Sequence, residues 1–134
     1  MEKLVNFIKS NDVDFTKNLV TENELNEILI QSNIKIGSQL KEYILTYGYL
    51  GYESYELYGI NSKQKTDSDM ISQTKYLNKY FDSSIGFIAL ENLGEGSYIL
   101  VNSDDQIFIL ETENNTMKNK NMKLEEYILE RFGN

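Results

Sequence analysis

Among its 134 residues the chain has no cysteine, no histidine, no proline and no tryptophan. Without Cys there is no disulfide framework, no thiol nucleophile and no thiolate metal site. Without His the usual general base is missing, and with it the Ser–His and Cys–His nucleophile systems and the commonest transition-metal ligand. No run approaches the ~20 apolar residues of a membrane span. The opening residues, MEKLVNFIKSNDVDF, have neither the apolar stretch nor the small-residue cleavage site of a secretory signal. A chain of this length buries roughly two thirds of its unfolded surface, so it folds without a metal or disulfide staple. The expectation is one cytoplasmic domain over 1–134.

Basic charge is also scarce. Thirteen Lys and Arg stand against 21 Asp and Glu, a formal net charge of −8. Such a protein repels phosphate backbones and anionic lipid, so neither direct nucleic-acid binding nor membrane binding is expected. The charge-matched partner is a basic protein.

What is present reads as alternating helical and extended segments. Leu4, Phe7 and Ile8 recur at helical spacing, which predicts a short amphipathic helix over 2–10. Thr21-Glu22-Asn23-Glu24 is a capping box, with Leu25, Ile28 and Leu29 as the apolar stripe of the helix it starts. That helix ends near Asn33, and Ile34-Lys35-Ile36 forms an extended connector. A second helix follows Ser38 with Leu40, Tyr43, Ile44 and Tyr47 on one face, and Gly48 is placed as its stop. Tyrosines then crowd at Tyr49, Tyr52, Tyr55 and Tyr58, predicting one or two short strands across 52–60, with Tyr52 and Tyr55 on opposite faces. A polar loop over 61–69 leads to a helix over 69–80, capped by Ser68 or Asp67 and marked by Ile71, Tyr76, Leu77 and Tyr80.

Residues 86–113 carry the clearest pattern. Apolar runs at 87–90, 98–101 and 106–110 are separated by a turn with Gly94 and Gly96, then by Asn102-Ser103-Asp104-Asp105. Such short connections join only antiparallel neighbours, so this is a β-meander. Its charges, Glu91, Glu95, Asp104, Asp105, Glu111 and Glu113, are all acidic, which suggests an acidic rim. Ile107-Phe108-Ile109-Leu110 is apolar on both sides and calls for cover on both faces. Helices can cover one; the Tyr-rich segment, the closing helix or a partner can cover the other. A polar loop over 114–121 precedes that closing helix, with Leu124, Tyr127, Ile128 and Phe132 inward. The fold class is α+β: an antiparallel meander packed by several helices.

This order resembles the SUKH superfamily of SMI/KNR-like proteins. The resemblance rests on Thr21–Glu24, on Ile34-Lys35-Ile36 and on Tyr47-Gly48-Tyr49. It continues through Ile88-Ala89-Leu90-Glu91, Gly94-Glu95-Gly96-Ser97, Tyr98-Ile99-Leu100-Val101-Asn102 and Ile107-Phe108. It covers about 20–132. Gly37 stands where the family's connector has Pro, and Ser97 where its turn ends in Asp. The resemblance implies stoichiometric binding rather than catalysis: many bacterial members look like immunity proteins that neutralise a toxin domain, often a nuclease. Other members are regulatory or scaffold modules.

Two groups are candidates for partner contact. Glu91, Glu95 and Ser97 at the glycine turn, with Asp104 at the next, form an acidic patch able to meet Lys or Arg; the plain alternative is a solvated hairpin rim. Tyr49, Tyr52 and Tyr55 offer large area with few rotors and a polar tip, as interface anchors do, whereas Tyr58 is assigned to the core. Neither Asp67/Asp69 nor Asp104/Asp105 has the ligand array of a calcium loop, so no metal or cofactor is expected. Glu91 and Glu95 as a glycosidase pair lack a Trp-lined sugar cleft. The chain reads as a binding protein, not an enzyme.

Overall fold

A computed structural model describes residues 1–17, 20–60 and 69–133. In chain order the described elements are α1 (Glu2–Ser10), β1 (Asp14–Lys17), α2 (Glu22–Ser32), α3 (Ser38–Thr46), β2 (Tyr47–Tyr52), β3 (Tyr55–Leu57), α4 (Met70–Tyr80), β4 (Ile88–Gly94), β5 (Ser97–Val101), β6 (Gln106–Glu111), β7 (Thr116–Lys123) and α5 (Leu124–Arg131). The strands form two antiparallel sheets, β1-β2-β3 and β4-β5-β6-β7. The fold is α+β.

Local chemistry sets the boundaries. The capping box of α2 is complete: the Glu24 N–H donates to Thr21 Oγ1 at 3.1 Å and the Thr21 N–H to Glu24 Oε1 at 3.0 Å. In the β4–β5 hairpin, Gly94 pairs with Ser97, and both central residues have positive φ, Glu95 at 54° and Gly96 at 84°. That geometry matches the right-handed twist of the flanking strands. In the next turn, Asn102 Oδ1 accepts the N–H groups of Asp104 and Gln106, both at 2.9 Å.

Both faces of the four-stranded sheet are covered. On one, Ile99, Val101 and Ile107 join the main core with Leu124, Tyr127 and Ile128 of α5. On the other, Ala89, Leu100 and Leu110 pack under Leu77 of α4. The two-sided apolar character of β6 is thus answered by two helices, one of them the closing helix.

Several expectations require correction. Gly48 does not stop α3: the helix ends at Thr46, Tyr47 is extended, and the chain passes directly into β2, which starts five residues before the predicted strand region. Gly48 lies in that strand, so close to Gly59 that a Cβ on Gly59 would stand 1.8 Å from the Gly48 carbonyl oxygen. Residues 116–123 are not a loop but β7, an edge strand whose polar sequence hides it; ladder bonds to β6 hold it, and only Met117 and Met122 are half-buried. Lys118, Lys120 and Lys123 lie exposed on it, so the sheet is not one-signed. The cap of α4 is Asp69, whose Oδ2 accepts the Ser72 N–H at 3.0 Å; Asp67 and Ser68, like the rest of 61–68, lie outside the described residues. The strand β1 gave no signal in the sequence.

The N-terminus of α3 lacks a local cap, because its N-cap residue is Gly37. Asp105 supplies one from 65 residues away: its Oδ2 and Oδ1 accept the N–H groups of Gln39 and Leu40 at 3.0 and 2.9 Å. A Cβ on Gly37 would come within 2.5 Å of that carboxylate, so glycine is required there by contact, not by φ, which is −84°. Asp105→Asn should lower stability by about 1–2 kcal/mol, since one of two buried amide acceptors is lost. Urea unfolding should also show that Gly37→Ala is costly alone and nearly neutral beside Asp105→Gly, where the clashing carboxylate is gone.

Candidate functional site

The terminal strands of the two sheets, β3 and β4, meet at one point, where the Tyr58 N–H donates to the Leu90 carbonyl at 2.8 Å. Beside that junction lies a cleft of ≈ 560 Å³. Residues 54–58 form one wall and residues 91–94 the other, with Tyr49 and Arg131 completing the lining. The pairing of β4 with β5 shifts register between Ala89 and Glu91 and again between Asn92 and Gly94. Such irregularities bend a strand and re-aim its side chains.

Glu91 therefore does not sit on a solvated rim. It is 2% exposed and opposes Ile99, whose side chain belongs to the main core. A carboxylate buried this far must be paired, since an isolated buried charge costs several kcal/mol. Its partners come from α5. The Tyr127 hydroxyl donates to Oε1 at 2.6 Å, while Arg131 Nε donates to Oε2 at 3.0 Å and Nη2 forms an ion pair with the same oxygen at 2.9 Å. Tyr127 and Arg131 are four residues apart on the helix, which places them on one face. The Arg131 guanidinium lies over the Tyr55 ring, 3.9 Å from its centroid. Both oxygens of Glu91 are thus engaged, and the arrangement holds the carboxylate in place.

Burial first, then the Glu91 charge and hydrogen bond, push the Tyr127 phenol well above its ordinary value. Tyr43 beneath the cleft moves the same way, mainly through burial, and its hydroxyl donates to the Tyr58 carbonyl at 2.7 Å. Burial pushes Tyr58 itself up to about 12.

The predicted contact residues separate. Tyr49, Tyr55 and Glu91 converge on the cleft. Tyr52 is half-buried, its ring centroid 5.6 Å from Phe7 and 5.3 Å from Phe132. Tyr52 and Tyr55 are also cross-strand partners on one face, not opposite ones, because a tight hairpin sets them directly across from each other. Glu95 is exposed at the β4–β5 tip, and Ser97 donates to a Glu111 carboxylate oxygen inside the sheet. Asp104 is exposed at the opposite end of β5 from Glu95. Asp105 is 5% exposed, so it too leaves the predicted acidic rim. The sequence reading missed Arg131, Glu56 and the run Asn92–Gly94, and placed Tyr58 in the core alone; an Arg four residues after an inward Tyr on the closing helix was the one available signal.

Replacing Arg131 by Met should cost about 3 kcal/mol by leaving a buried carboxylate uncompensated, with much of that recovered when Glu91 is also made Leu. Alkaline titration provides a second check. Raised phenol values mean that the folded state holds these protons more tightly, so the stability contributed is complete below about pH 10 and is lost as pH rises through the folded values. Phenolate absorbance should show Tyr58 ionising near 12 and two further tyrosines ionising only as the circular dichroism signal collapses.

Comparison with known proteins agrees with this architecture. A family model described as "SMI1-KNR4 cell-wall" matches residues 1–133. A crystal structure of a protein from Pseudomonas syringae pv. tomato superposes with a TM-score of 0.67 at 20% identity, covering 93% of this chain and 90% of that one. At that identity it speaks for the fold alone. Comparison with curated proteins gave no match. No described helix is long and apolar enough to cross a membrane, and no described cluster of acidic side chains could hold a metal ion. With its helices, two antiparallel sheets and a family match spanning nearly its whole length, the chain belongs to the SMI1-KNR4 (SUKH) family.

Proposed function

We propose that this chain acts as a single, non-catalytic cytoplasmic binding domain, an immunity protein that neutralises a toxin domain by stoichiometric contact. The observation that carries the reading is the cleft between the sheets. Its buried carboxylate is held by Tyr127 and Arg131, while Tyr49, Tyr55, Tyr58 and the exposed Glu56 form the surface open to a partner. Family membership supports protein binding, and the net charge of −8 favours a basic partner such as a nuclease domain. The description of the matching family names the cell wall, not a toxin, which supports a second reading: a regulatory or scaffold module with another protein partner.

The product of an adjacent toxin gene, co-expressed with this chain, should co-purify as a stoichiometric complex, and cells making both should survive. Death of such cells removes the immunity reading. Glu56→Lys, on an exposed position, should weaken protection without loss of fold, whereas Asp104→Lys at the far end of the meander should not; the reverse result moves the contact to the other end.

A further inference from the structure

Resting on that protein-binding reading, we propose that the cleft receives an extended segment of the partner as an added strand, along the free edge of β4, with a Lys or Arg side chain directed toward Glu56 and the tyrosine walls. The topology argues for this first. Both β3 and β4 are terminal strands of their sheets, and the backbone bond described between them is the one from Tyr58 to Leu90. Beyond it the cleft is walled by two continuous backbone runs, residues 54–58 and 91–94. Four residues of strand span about 13 Å, room for an extended segment of four or five residues.

The chemistry of the edges points the same way. The far edge of the larger sheet is guarded: β7 carries exposed Lys118, Lys120 and Lys123, the kind of residues that keep an edge from pairing. The edge at 91–94 carries no lysine: Glu91 is buried and Asn92, Leu93 and Gly94 are uncharged, and its protection is limited to the two register shifts that bend it and to Asn92 Oδ1, which takes the Gly94 N–H at 2.8 Å. Strand addition at an open edge takes affinity from main-chain bonds and specificity from alternate side chains.

Charge selects the side chain. Glu91 and Arg131 neutralise each other, and an anionic ligand would have to compete with Glu91 for the guanidinium. Glu56 lines the cleft, is exposed, and makes no ion pair among the described residues. Glu95 lies exposed at the adjacent hairpin tip. The unbalanced charge is negative. Aromatic faces attract cations, and Tyr49 lines the cleft half-buried, its hydroxyl lying over Gly51.

The test needs no toxin. An acetylated, amidated pentapeptide of alternating valine and lysine is titrated into the isotope-labelled full chain and followed by amide NMR. Saturable shifts are expected at Glu56, Leu57 and Tyr58 and at 91–94, with slowed hydrogen exchange at the β4 amides. Glu56→Lys should weaken binding at least about fivefold. The same peptide with glutamate for lysine should not bind, and N-methylation of alternate backbone nitrogens should abolish binding in one of its two registers. Absence of saturable shifts, equal binding of the glutamate peptide, indifference to N-methylation, or shifts confined to α4 or β7 would each overturn the proposal. Protection by this chain with no peptide binding removes the strand mode alone; peptide binding without protection removes the toxin reading alone.

Discussion

The hydrogen bonds of Asp105 hold two helices that lack caps of their own, α3 and α5, to the larger sheet, and α1 is tied on through Glu125. The first turn of a helix leaves backbone donors without partners. At α1, α3 and α5 the N-cap residues, Met1, Gly37 and Lys123, make no side-chain cap. The Asp105 carboxylate takes the donors of α3, and its carbonyl accepts the Leu124 N–H at the start of α5 at 2.9 Å. Gln39 of α3 then accepts from the Glu125 N–H at 3.1 Å, and Glu125 accepts from the Leu4 N–H of α1 at 3.2 Å. One turn residue, at a φ of 63°, thereby orders α3 and α5 relative to the larger sheet, and Glu125 extends the relay to α1. Because it is 5% exposed, its carboxylate faces little competition from water.

This relay also builds the cleft. It fixes the start of α5, and seven residues of helix span only ~10 Å, so Arg131 has little freedom in where it falls. It falls on Glu91, at the bent part of β4. The buried ion pair is costly to desolvate and adds little net stability over an apolar replacement. What it does is specify geometry: Nε and Nη2 of Arg131, both on Glu91 Oε2, tie the last turn of α5 to the edge of one sheet and, through Tyr55, to the edge of the other. The two sheets share a single described strand-to-strand bond, so this pair and the Tyr43–Tyr58 bond keep the cleft walls in register.

Much of the fold was legible in the sequence because it rests on neighbours. A capping box needs four consecutive residues, a hairpin turn needs Gly or Asn at positive φ, and an amphipathic stripe repeats within one or two turns. Thr21–Glu24, Gly94 with Gly96, and the inward face of α5 all showed themselves on those terms. The strand β7 did not, since ladder bonds to β6 hold it and its own side chains carry almost no apolar signal. The start of α3 at Gly37 carries no local cap signal for the same reason: its cap lies on a distant turn.

The candidate site divides along the same line. Tyrosine spacing identified Tyr49 and Tyr55, and the acidic turn drew attention to Glu91. By itself the sequence determined the α+β class, the meander, the start of α2 at its capping box, and the lack of thiol and imidazole chemistry. Only the tertiary structure decided that Glu91 and Asp105 are buried anchors and not rim charges, that Arg131 and Glu56 belong to the cleft, and that Asp104 lies at the other end of the meander. The physical reason is range. A carboxylate reads the same in sequence whether water or a guanidinium 40 residues away satisfies it, and only packing selects between them.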